Sequence, residues 1–73
     1  PTKLQNLESL WLKFQNNPTE LSGYEYSAII DTAQHLYSTG TYSREQAESM
    51  INPVMDALTL LASQRHLVEK YSD

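Results

Sequence analysis

The amino-acid sequence predicts an all-α fold, a small bundle of three to four helices that forms one domain over residues 1–73. Apolar residues recur three and four positions apart along most of the chain, which is the period of a helix with one buried face. Three residue pairs have the spacing of a helix-capping box, and no run alternates between apolar and polar residues as a strand does. A chain of 73 residues has room for one core, so we expect the helices to share it in the order long, long, short, long.

The first helix is predicted from Thr2 to Gln15. Thr2 and Gln5 have the spacing of a capping box at its start. Its apolar residues recur at helical spacing and are Leu4, Leu7, Leu10, Trp11 and Phe14. Pro18 ends this helix, because the residue before a proline is pushed out of the α region. We expect a loop or a short turn there.

The second helix is predicted from Ser22 to Ser38. Ser22 and Glu25 form a second capping-box pair, and Gly40 supplies the left-handed conformation that commonly ends a helix. One continuous apolar stripe follows the cap and comprises Tyr26, Ile29, Ile30, Ala33, Leu36 and Tyr37. This stripe predicts that the second helix packs on the core along its whole length.

A short third helix is predicted from Arg44 to Ile51, started by Ser43 with Gln46 three residues later. Glu45 lies in its first turn, where the helix dipole favours a negative charge. Its expected buried side comprises Ala47, Met50, Ile51 and Val54.

Pro53 decides how the chain continues. Inside a helix it would remove one hydrogen bond and clash with the carbonyl four residues earlier, at a cost of about 3 kcal/mol. As the first residue of a new helix capped by Asn52 it would cost almost nothing. We therefore predict a fourth helix that begins, or is kinked, at Pro53 and runs to about Lys70.

The fourth helix is apolar around roughly two thirds of its circumference. The residues that make this wide arc are Val54, Met55, Ala57, Leu58, Leu60, Leu61, Ala62, Leu67, Val68 and Tyr71. Such a helix is either sandwiched between the other helices or presents a second apolar face to another chain. The residues expected to be most deeply buried in the whole bundle are Leu10, Ile29, Ile30 and Leu61.

Composition excludes several classes of function. Nine acidic residues against five scattered basic ones give a net charge of −4, which disfavours nucleic acid. No apolar run approaches the roughly 20 residues that span a bilayer, and the start Pro-Thr-Lys carries no secretory signal, so we expect no membrane association. The chain has no cysteine, which fits the cytoplasm, and its two glycines cannot build a phosphate-binding loop.

The acidic residues are concentrated between Glu20 and Asp56, where Arg44 is the one basic residue. Two interpretations stay open for this segment. It is a solvated face that confers solubility, or an acidic patch for a basic partner protein or a mimic of nucleic acid.

Few residues suggest chemistry. Asp31 and His35 are four apart and share a helix face, as an orienting carboxylate and an imidazole do in acid–base catalysis. A zinc site would have to combine His66 and Glu69 with His35. A small hydrolase or metal enzyme would need Asp31, His35 and His66 to converge, so we expect no enzyme and assign no catalytic, cofactor or metal residue.

The chain is expected to bind protein. Aromatic and large apolar residues outside the predicted core, the kind enriched at interface centres, are the candidates: Trp11, Tyr24, Tyr42, Leu60, Leu67 and Tyr71. We expect an adaptor, inhibitor or regulator of another protein, of the type found in phages and plasmids, that self-associates as a dimer. The alternative is a structural or assembly subunit, or a secretion co-chaperone, that a different chain completes.

Overall fold

The computed structural model describes residues 3–71, and describes side chains over residues 4–64. Three helices make up the fold: α1 from Lys3–Asn16, α2 from Gly23–Ser38 and α3 from Arg44–Tyr71. Within those residues every regular element is a helix, so the predicted all-α class is confirmed. α2 packs against both α1 and α3 and is the central element of the fold.

The start of α2 forms as the sequence predicts. The Ser22 side chain accepts a hydrogen bond from the backbone of Glu25 at 3.2 Å, and the Glu25 carboxylate accepts one from the Ser22 backbone at 3.0 Å. These bonds satisfy backbone donors that the first turn of a helix otherwise leaves unpaired. The Thr2–Gln5 box predicted for α1 lies partly outside the described residues, since Thr2 precedes them.

A second capping box starts α3. The Gln46 backbone donates to the Ser43 hydroxyl at 3.1 Å, and the Ser43 backbone donates to the Gln46 side chain at 2.8 Å. Just before it, Gly40 has a φ of 82°, a left-handed conformation that side chains with a Cβ rarely adopt. The predicted glycine stop after α2 is therefore confirmed.

The break predicted at Pro53 is wrong, because α3 is one helix of 28 residues with Pro53 in its interior. The kink that we gave as the alternative is not confirmed. Packing explains the difference: Ala47 and Val54 are buried on opposite sides of the proline along the chain. Pro53 is itself exposed, so water can reach the turn whose hydrogen bond it removes. Burial on both sides offsets the local cost of the proline.

The core lies along one stripe of α2, whose buried residues are Tyr26, Ile29, Ala33 and Leu36. Its buried side chains form one cluster comprising Leu7, Phe14, Leu21, Tyr26, Ile29, Leu36, Val54 and Ala57. Of the four residues predicted to be deepest, Ile29 is fully buried, whereas Leu10, Ile30 and Leu61 are half-buried at the edge of this cluster. The reason is that α1 and α3 each pack mainly against α2, and α2 meets both along one stripe, so side chains beside these stripes stay partly open to water.

Tyr26 holds the α1–α2 loop to the core. Its ring is buried and meets the ring of Phe14 edge to face, with centroids 6.4 Å apart. Its hydroxyl donates a hydrogen bond of 2.6 Å to the backbone carbonyl of Pro18. A buried tyrosine hydroxyl needs such a partner, and here the partner is the loop itself. The turn predicted near Pro18 is thereby fixed against α2.

The molecule is long, measuring 49 × 23 × 17 Å. Its radius of gyration is 13.9 Å, whereas a compact domain of this length would have about 11 Å. The length of α3 accounts for the difference, since 28 helical residues span about 42 Å. None of the described helices combines the length and apolarity needed to cross a bilayer.

The contrast in burial between Ile29 and Ile30 gives a test of the core. Ile29→Ala should lower the free energy of unfolding by about 2–5 kcal/mol, because it opens a cavity among fully packed atoms. Ile30→Ala should cost about 1–2 kcal/mol, because that side chain is half-exposed and solvent fills the space. Urea denaturation monitored by circular dichroism measures both losses. Equal losses would show that α2 packs on a different face.

The unbroken α3 gives a second test. Pro53→Ala should raise the free energy of unfolding by about 1–3 kcal/mol, because it restores the missing backbone donor in a helix interior. Asn52→Ala is the matched control: a capping asparagine would cost about 1 kcal/mol on removal, whereas a mid-helix one costs nothing. Thermal denaturation of both variants decides between a continuous α3 and a helix that starts at Pro53. A destabilised Asn52→Ala variant would support the break at Pro53.

Candidate protein-binding surface

The residues that suggested chemistry do not form a site in the part of the chain that the structure describes. Asp31 and His35 are both exposed on α2. Among the described residues, no three histidine, aspartate or glutamate side chains come close enough to hold a metal ion. The side chains of His66 and Glu69 lie outside the described residues.

Two of the predicted binding residues are packed at the edge of the core. Trp11 is half-buried and stacks on Phe14, with ring centroids 5.3 Å apart and planes 16° apart. Tyr42 is half-buried and packs against the core cluster from the loop before α3. Burial raises the pKa of its phenol, and the nearby Glu8 carboxylate raises it further. Both rings therefore help to stabilise the fold.

Two other predicted residues are well exposed. Tyr24, the second residue of α2, is 83% exposed, and Leu60 on α3 is 50% exposed. Interaction surfaces are marked by contiguous exposed apolar patches, so each of these side chains is a candidate together with its exposed apolar neighbours. The side chains of Leu67 and Tyr71 lie outside the described residues, so their predicted role stays a prediction.

The structure does not bring the candidate aromatic residues into one cluster. Tyr24 lies at the start of α2 and Tyr42 follows its end, and the 16 residues between those ends span about 24 Å. Three further large apolar side chains are exposed: Leu12, Tyr37 and Met55. Tyr37 was predicted in the core-facing stripe of α2, and that prediction is wrong. Met55 was detectable as part of the wide apolar arc. Leu12 was detectable because it lies outside the stripe of α1.

Two shallow grooves lie along the helix seams. We name the first the α2–α3 groove; it has a volume of about 380 Å³ and is lined by Leu21, Gly23, Tyr26, Leu58, Leu61 and Ala62. The second, the α1–α2 groove, has about 390 Å³ and is lined by Asn6, Ser9, Leu10, Tyr24, Ala28 and Thr32. The first has no polar side chain except the tyrosine hydroxyl, which already bonds Pro18. The second has four polar side chains among its six, including Tyr24 with its hydroxyl.

Residues 4–64 have a strongly acidic surface, since they hold seven acidic residues against two basic ones. Both basic residues are engaged: Lys13 pairs with Glu25 at 2.6 Å, and Arg44 pairs with Glu48 at 3.0 Å. The hydrogen bond from Lys13, and then that from the Ser22 backbone, lower the pKa of Glu25. The hydrogen bond to Glu48 raises the pKa of Arg44. The described surface therefore presents acids whose charge no neighbouring cation offsets.

Comparisons of the chain with protein-family models, with curated proteins and with solved structures found no match. The function must be inferred from the residues themselves. Their geometry offers exposed apolar side chains, two open grooves and an acidic surface.

The Lys13–Glu25 pair predicts how stability depends on pH. Because the folded-state pKa of Glu25 is lowered from 4.5, its stabilisation is complete above that value and is lost as the pH falls through the lowered pKa. Lys13→Met should reduce this loss, since it removes the largest cause of the shift, and Glu25→Gln should abolish it. Urea denaturation at pH 7 and pH 3 measures the effect. Glu20→Gln, an exposed acid without an ion pair among the described residues, is the control and should match the wild type.

Proposed function

We propose that this chain is a protein-binding module, an adaptor, inhibitor or regulator that works in the cytoplasm and self-associates as a dimer through α3. The observation that carries the proposal is Leu60, a large apolar side chain half-exposed near the middle of a long helix. When another chain covers an exposed leucine on a helix, the apolar surface that it buries stabilises the complex.

The position of Leu60 relative to the buried stripe of α3 supports this role. Val54 and Leu61, seven residues apart, point in nearly the same direction, toward α2. Leu60 precedes Leu61 and Met55 follows Val54, so each is rotated by about 100° from the stripe, in opposite directions. Both are about half-exposed. α3 therefore carries apolar surface on both flanks of the face that the bundle buries.

The size of the core supports self-association. Ten hydrophobic residues are buried among those described, and the chain has no cysteine to form a disulfide. A single core in so short a chain rarely supplies more than about 3–5 kcal/mol, and oligomerisation is a common remedy. A second chain that covers Leu60 would bury apolar surface that the monomer leaves exposed to water.

The proposed function involves no catalysis and no nucleic acid. In support, Asp31 and His35 face solvent and line neither groove. Phosphate binding needs free cations, and both basic side chains of residues 4–64 are engaged in ion pairs.

The dimer is tested by Leu60→Glu, which should convert it to a monomer while leaving helicity near the wild-type level, because Leu60 contributes little to the core. Leu67→Glu should act similarly, since the sequence places it seven residues on. Sedimentation equilibrium measures the mass and circular dichroism the helicity.

Leu12→Glu is the matched control, because Leu12 is a leucine on α1 that is exposed to a similar degree, 60% against 50% for Leu60. It should leave the dimer intact. A wild-type protein that sediments as a monomer at high micromolar concentration would contradict the dimer. A wild-type chain that is insoluble alone and soluble with a second protein would favour the alternative, a structural or assembly subunit or secretion co-chaperone completed by a partner.

A further inference from the structure

We propose that the α2–α3 groove docks a basic amphipathic helix of a partner protein. This inference rests on the proposed function, of which it names the ligand class and the site. The groove is lined by Leu21, Gly23, Tyr26, Leu58, Leu61 and Ala62. It lies on the Met55 flank of α3, since Met55, Leu58 and Ala62 follow one another at helical spacing. Leu60 lies on the other flank, so the two contacts use separate surfaces.

The shape of the groove suits side chains inserted from a helix. Gly23 and Ala62 leave it open, and a Cβ added at Gly23 would meet no atom within 4 Å. Leu58 and Leu61 are half-buried and supply apolar walls that a docked side chain would complete. Leucine or methionine side chains three and four residues apart on a partner helix match a seam between two helices.

Other common modes of peptide recognition fit this groove poorly. Strand addition needs an open sheet edge, and the described residues are helical wherever they are regular. Recognition of phosphate or acidic motifs needs free arginine or lysine, and both bases within residues 4–64, Lys13 and Arg44, are already paired. Proline-rich segments need a row of exposed aromatic rings, and the one ring in this groove, Tyr26, is buried. A helix laid in the groove is the mode that remains.

Charge complementarity sets the chemistry of the partner helix. None of the described residues that line the groove is charged, so the docked face must be apolar. Over residues 4–64 the protein carries seven acids against two paired bases, so its field is negative overall. Glu20, which directly precedes Leu21, is exposed and has no ion pair among the described residues. Basic residues flanking the apolar face would be attracted, and acidic ones repelled.

The probe for this inference is a synthetic peptide of about 14 residues, with leucine three and four positions apart and lysine elsewhere. Fluorescence anisotropy of the labelled peptide should show saturable binding, weakened at least about fivefold between low and high salt. Backbone amide NMR shifts should change at Gly23, Leu58 and Ala62. A glutamate-for-lysine peptide should bind at least about tenfold more weakly.

Variants of the protein locate the site. Gly23→Phe should fill the groove and weaken binding about tenfold or more, while its melting temperature stays near that of the wild type. Ala62→Trp is the second blocking variant and answers the same question if Gly23→Phe fails to fold. Tyr24→Ala alters the α1–α2 groove and should leave the affinity within about twofold of the wild type.

Three outcomes would overturn the inference. One is equal binding of a scrambled leucine–lysine peptide without an apolar face, which would mean attraction by charge alone. Another is a set of NMR shift changes centred on the α1–α2 groove. The third is no binding of the amphipathic peptide to a protein that sediments as a dimer sensitive to Leu60→Glu. That last result would agree with the proposed self-association and contradict only the docking of a basic helix in the α2–α3 groove.

Discussion

The packing of α2 between α1 and α3 is the contact on which the rest of the structure depends. α2 touches both other helices, and its Tyr26 and Ile29 are fully or almost fully buried. Tyr26 also bonds the loop that brings α1 back to α2. Because one central helix serves two neighbours, each outer helix is covered mainly along one stripe. The apolar residues beside those stripes stay open to water, and they are the candidate binding surface.

Features that depend on a few adjacent residues could be predicted from the sequence. The capping boxes at Ser22 and Ser43 and the left-handed Gly40 all formed as expected, because each is fixed by local hydrogen bonds or by one φ angle. Pro53 was misjudged because its effect is a balance between a local cost and burial of residues on both sides. The local term is visible in the sequence, whereas the packing term is a property of the assembled bundle.

The candidate surface could be predicted only in part. Helical periodicity indicates which residues share a face, but it does not say how wide an arc the neighbours cover. Ile30 and Leu61 were therefore expected in the core and lie half-buried at its edge. Trp11 was expected on a binding face, yet its ring stacks on Phe14 against the core. The exposure of Leu60 and Tyr24 was expected, because neither residue lies on the core-facing stripe of its helix.

The two contacts proposed for the flanks of α3 would respond to salt in opposite ways. Two copies of this chain each carry a net charge of −4, so contact through the Leu60 flank brings like charges together. Raising the ionic strength screens that repulsion over distances of about 10 Å and strengthens an apolar contact between copies. A basic helix on the opposite flank would be attracted by the same charges and would lose affinity under the same change. Under the two proposals, low salt would favour occupation of the α2–α3 groove and high salt would favour pairing through Leu60. An acidic protein with two apolar flanks could in this way keep two contacts distinct, although both lie on one helix.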